Sequence, residues 1–131
     1  MKTAFLLLAL LGIGLLPACK KEKENTPNSG MLMGTYKLTG LYYYSPGDDG
    51  EFQTVTSEKT VTFHSDGTIT SNGNLCIPET DALSPSSGTY SHSNKTITVT
   101  NCDGIEYKLI GYTLIIGHGC WEQCKSRFIK I

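Results

Sequence analysis

The run His118-Gly119-Cys120-Trp121-Glu122-Gln123-Cys124 gathers a histidine, two cysteines and the chain's one tryptophan. His and Cys are zinc ligands, but structural zinc sites are built on closely spaced Cys pairs such as Cys-x-x-Cys. That core is missing here, so we expect no metal. His64 and His92 fall in hairpin turns, neither beside a Ser or Asp in a pattern that makes a catalytic base. Asp48-Asp49-Gly50-Glu51 lacks the alternation of a dedicated calcium loop. No nucleophile–base pair emerges, so the sequence predicts a non-catalytic protein without a cofactor. The aromatic residues point to binding instead. Tyr36, Tyr42, Tyr44, Tyr90, Tyr107 and Tyr112 are expected to line an interior. Tyr joins an apolar body to a polar tip, which suits a small apolar or amphipathic ligand. Trp121 is expected to pack as a lid over the mouth of that interior. Exposed, it would suit a partner contact.

The fifth cysteine, Cys19, has a different setting. Lys2 precedes an apolar run from Ala4 to Leu16, which leads into Pro17-Ala18-Cys19. The run is shorter than the ~20 residues that span a bilayer and fits the apolar region of an export signal. Together these residues resemble the bacterial lipoprotein signal. That resemblance implies a diacylglyceryl group on the Cys19 thiol, cleavage before it and further acylation, palmitate included. Buried acyl chains contribute about 0.8 kcal/mol per methylene, and two or more hold firmly. Residues 1–18 are then a signal peptide, 19–31 a lipidated Cys and polar tether, and 32–131 the folded domain. Lys20-Lys21-Glu22-Lys23-Glu24 resembles a surface-export signal of Bacteroidota lipoproteins. Outer-membrane attachment is expected, with the leaflet left open.

Export bears on the remaining thiols. Cys76, Cys102, Cys120 and Cys124 are an even set in a small exported domain, which reads as two disulfides. Removing residues 1–18 leaves 113, enough for one core. A net charge of -1 gives no reason to expect nucleic acid as a partner.

The elements that must position these residues are strands. From Met33 onward β-branched and aromatic residues alternate with polar ones between Gly, Asn and Asp punctuation. In the first strand, Gly34 to Tyr44, strict alternation puts Tyr36, Leu38, Tyr42 and Tyr44 on one face. Ser65-Asp66-Gly67 is a hairpin turn, and 72–87 is the longest loop. Eight or nine short strands in sequential hairpins predict an all-β, antiparallel up-and-down barrel of about 8 strands, stapled by disulfides. A β-sandwich is the alternative. Up-and-down alternation brings all four thiols to one rim. The expected pairing is Cys102–Cys120 with Cys76–Cys124, and Cys120–Cys124 is the local alternative.

Gly34-Thr35-Tyr36-Lys37-Leu38, Val61 to Thr70, Ser87-Gly88-Thr89-Tyr90-Ser91 and Gly111 to Ile116 occur in an order that resembles the lipocalin-like domain family of Bacteroidota lipoproteins. The resemblance implies a small barrel and no reaction. Lipocalins carry Gly-x-Trp on the first strand with an Arg of the last strand stacked on the Trp. Here Gly34-x-Tyr36 stands in, so Arg127 is expected to close the barrel over Tyr36 by a cation–π contact. The functional expectation is binding of a small apolar or amphipathic ligand. The alternative is a protein-interaction module with a filled barrel, an envelope accessory subunit or an inhibitor of a secreted enzyme.

Overall fold

The structure is a computed structural model that describes residues 29–131 apart from 45, 48, 49 and 122. The expected signal peptide, Cys19 and the expected tether up to residue 28 lie outside the described residues. So do Asp48 and Asp49 of the acidic loop.

Among the described residues a single helical turn, α1 (Ser29–Leu32), precedes nine strands: β1 (Gly34–Tyr43), β2 (Gln53–Thr54), β3 (Thr60–Phe63), β4 (Thr68–Ser71), β5 (Ser86–Ser91), β6 (Thr96–Val99), β7 (Cys102–Ile110), β8 (Thr113–His118) and β9 (Cys124–Lys130). From β3 to β9 each strand pairs antiparallel with the next, and β1 pairs with both β3 and β9. The sheet closes on itself as the expected eight-strand lipocalin-like barrel. Strand β2 is an addition. It continues along the edge of β1 that β3 leaves free, opposite Gly40 and Leu41.

Alternation explains the core. Val61 and Phe63, Ile97 and Val99, and Leu114 and Ile116 point inward and are buried, while the intervening Thr60, Thr62, Thr96, Thr98, Thr113 and Ile115 are more exposed. Gly67, at a φ of 87°, turns the β3–β4 hairpin, a backbone region that glycine enters without steric cost.

Strict alternation fails in β1. The β1–β9 register shifts between Leu38 and Gly40, so Thr39 is an extra residue. A bulge of this kind reverses the facing of everything beyond it. Leu41 becomes a core residue. Tyr42, expected inside, lies on the outer wall against Phe52, with ring centroids 5.7 Å apart.

The barrel has two differently closed ends. At the first, α1 plugs the opening: Leu32 is buried, and the Tyr36 hydroxyl donates to the carbonyls of Met31 (3.0 Å) and Leu32 (2.8 Å). The expected Arg127–Tyr36 contact is not formed. Arg127 projects outward in β9 and sits 5.2 Å from the Phe52 ring. The cation over Tyr36 is Lys130, at 5.6 Å. Three residues further along β9, it returns to the end of the barrel where Tyr36 lies.

The second end carries the thiols. The disulfides are Cys76–Cys102, with Cα atoms 5.7 Å apart, and Cys120–Cys124, with Cα atoms 6.0 Å apart. This corrects the expected pairing of Cys102 with Cys120 and of Cys76 with Cys124, and selects the local alternative. All four do meet at one rim. The short connection after β8 keeps Cys120 within reach of Cys124 at the start of β9, which leaves the long loop to bond to the start of β7.

Candidate binding site

The long loop between β4 and β5 closes the second end, and a buried lysine holds it. Lys59 continues the inward register of Val61 and Phe63 and is only 1% exposed. Its ammonium donates to the carbonyls of Asn74 (2.6 Å), Glu79 (3.2 Å) and Ile77 (3.3 Å). Three donors thus meet three acceptors of the loop. Burial lowers the Lys59 pKa from its ordinary value, and the charges of Glu79 and Asp81 partly restore it. Leu75 inserts beneath the loop and is buried.

His118 ends the inward row Leu114, Ile116, His118 of β8, and is buried. Its Nε2 lies 2.9 Å from the Ser126 hydroxyl. Its Nδ1 has no hydrogen-bond partner among the described residues. Burial, reinforced by the Lys59 charge, pushes the imidazole pKa down to about 4, and the backbone at Cys76 and Leu75 opposes this. The imidazole is therefore neutral near pH 7 and part of the closure. The cysteines beside it in sequence are bonded to each other. His118 and Ser126 are polar residues at inward strand positions and Lys59 extends the inward row of β3 by one step, and that parity is the signal in the sequence that would have found them. Elsewhere, His64 bonds Thr70 at 2.8 Å through Nε2.

The expected interior tyrosines separate into two groups. Tyr36, Tyr90 and Tyr107 converge on Phe63, with centroids 6.0, 5.0 and 5.4 Å from it. Edge contacts of this kind fill space as well as bind. Burial raises the Tyr107 pKa to about 12, and its hydroxyl donates to the Ser91 carbonyl. Tyr42, Tyr44 and Tyr112 do not line the interior: Tyr42 is on the outer wall, while Tyr44 and Tyr112 are exposed.

Trp121 is not a lid. It is fully exposed, with a relative accessibility of 107%. It projects from the short connection between β8 and β9, which is closed by Cys120–Cys124 and held to β1 by the Tyr44 amide donating to the Gln123 carbonyl at 3.0 Å. Tyr43, Tyr44, Trp121 and Gln123 line an open groove of about 280 Å³ floored by the disulfide. The Tyr43 hydroxyl donates to the Pro78 carbonyl, tying the groove to the loop that Lys59 holds. Strict alternation along β1 leaves Tyr43 off the expected site, because the bulge at Thr39 is not visible in composition or periodicity. The groove has an apolar floor, aromatic walls and amide groups at its edge, and it sits on three cross-linked segments.

A family model described as a lipocalin-like domain matches residues 32–115. No curated protein and no solved structure gives a significant match.

Proposed function

The chain belongs to the lipocalin-like domain family, and from that premise we propose that it is a non-catalytic binding module. It is held at the outer membrane by lipid on Cys19 and recognises a protein partner through the Trp121 rim. The observation that carries this reading is a fully exposed tryptophan on a disulfide-closed connection, beside Tyr43 and Tyr44. Exposed aromatic anchors on a rigid frame lose little entropy on binding, and Trp and Tyr are the residues that most often dominate interface energies. The groove is sized for one or two partner side chains rather than for a lipid. Inside the barrel, the rings of Tyr36, Tyr90 and Tyr107 already pack on Phe63, so a small amphipathic ligand there would have to displace them.

The test places a photo-reactive residue at position 121 of the full-length chain in its native cells, with Thr98 on the outer wall as the control position. A discrete protein adduct from 121, absent from 98, is expected, and Trp121→Ala should abolish binding of that partner to the purified protein without lowering its Tm. Adducts of equal yield from both positions would overturn the reading. So would native mass spectrometry showing a small molecule retained by the protein and lost on Tyr107→Ala.

A further inference from the structure

The end of the barrel plugged by α1 also carries exposed apolar side chains. Met31 is 40% exposed, Ile110 56%, Tyr112 70% and Ile131 74%. Backbone geometry brings them together. Tyr112 lies in the turn between β7 and β8, and its carbonyl accepts from the Lys130 amide at 3.0 Å. The Ile131 amide donates to the Thr35 carbonyl at 3.0 Å, and the Lys130 ammonium donates to the Met31 carbonyl at 2.6 Å.

The described chain begins on this same rim, at Ser29, ten residues after Cys19. Ten residues reach at most about 35 Å when fully extended. The barrel wall, built on the ten-residue β1, is about 25 Å tall for strands tilted as in small barrels. Laying the opposite, Trp121 rim on a membrane would consume most of that reach along the wall. Laying the α1 rim there consumes almost none.

We propose that the α1 rim lies in the membrane interface, with Tyr112, Ile110 and Met31 at the boundary between headgroups and acyl chains. Lys108, beside them, sits at headgroup level, while the Lys130 ammonium stays on the Met31 carbonyl. Tyr belongs at that depth because its ring is apolar and its hydroxyl wet, and Lys stems reach from it to water. The domain then stands upright on its anchor and directs the Trp121 groove away from the bilayer. The inference rests on the reading of Cys19 as a lipid attachment site, and it adds an orientation which that reading leaves free.

The full-length acylated protein, reconstituted in phosphatidylethanolamine–phosphatidylglycerol vesicles with and without brominated acyl chains, tests it. Trp121 is the one native tryptophan and reports the far rim directly. A Tyr112→Trp substitution in a Trp121→Phe background reports the near rim, and thermal melting checks that this variant is folded. Bromolipid should quench the fluorescence from position 112 at least twofold and leave that of Trp121 within a tenth of its value. Unquenched emission from position 112, or strong quenching of Trp121, overturns the orientation in a protein whose intact mass shows the acyl groups. A mass without acyl groups, in protein that does not float with the vesicles, overturns the Cys19 reading and this proposal with it.

Discussion

His118 makes the stability of the protein depend on pH. The ring is buried and its pKa falls from 6.5 to about 4. Between those values the unfolded chain takes up a proton that the folded one refuses. Stability is then complete above about 6.5 and declines as pH falls toward 4. The integrated loss is about 3 kcal/mol. Thermal melts of wild type and His118→Gln at pH 7.5 and 4.5 check the sign: the wild type should lose several degrees more than the variant on acidification, and equal losses would contradict it. Lys59 contributes differently, through three hydrogen bonds to carbonyls of the loop. Lys59→Met keeps the apolar stem and orphans those acceptors, a loss of about 3 kcal/mol. For a domain of this size Tm should fall by roughly 10–20 °C. A fall of under 3 °C would mean that the loop is held by other contacts.

The two disulfides fasten their elements with unequal effect. Cys76–Cys102 joins residues 26 apart and ties the long loop to β7, whereas Cys120–Cys124 joins residues 4 apart within one connection. On the chain-entropy model the longer closure is worth about 3.5 kcal/mol and the shorter about 2 kcal/mol. Denaturant melts of the two double Cys→Ala variants should rank Cys76/Cys102 as the more damaging pair. Peptide mapping of the native protein should recover those two bridges, and a Cys76–Cys124 peptide would refute the pairing. Along β3 and β6 alternation alone puts Val61, Phe63, Ile97 and Val99 inside, because side-chain facing follows from position along an undisturbed strand. It failed past Thr39, because a single inserted residue leaves the composition of a strand unchanged while reversing its faces. Alternation that ignores the bulge leaves Tyr43 out of the candidate site and puts Tyr42 inside, whereas the bulge turns Tyr42 to the outer wall. Convergence of the four thiols on one rim followed from strand order alone. Their pairing depended on how two loops cross that rim, which strand order does not determine.

Closure of the whole molecule rests on its ends. Strand β1 pairs with β9 from Tyr36↔Lys130 to Tyr43↔Cys124, so the seam joins segments separated by most of the domain. Sequential hairpins were readable from local turn chemistry. Closure at the seam follows from the count of sequential strands and the need to leave no exposed edge, but its cation rests on the family resemblance and is misassigned: Arg127 faces outward over Phe52, while Lys130 covers Tyr36 and holds the Met31 carbonyl. This topology has a kinetic consequence. The β3–β8 hairpins can form early, but the barrel interior is not closed until β1 meets β9. The entropy of closing so long a loop is lost before those contacts compensate for it. Refolding of the disulfide-intact domain should therefore take milliseconds to seconds, as for other barrels dominated by non-local pairing. Lys130→Ala removes a contact formed in the last step, so it should mainly accelerate unfolding and leave the folding rate within about twofold. Stopped-flow chevrons measure both limbs. A Lys130→Ala variant that folds tenfold more slowly while unfolding at the wild-type rate would place the seam in the nucleus, and the barrel would then close first and pair its hairpins afterwards.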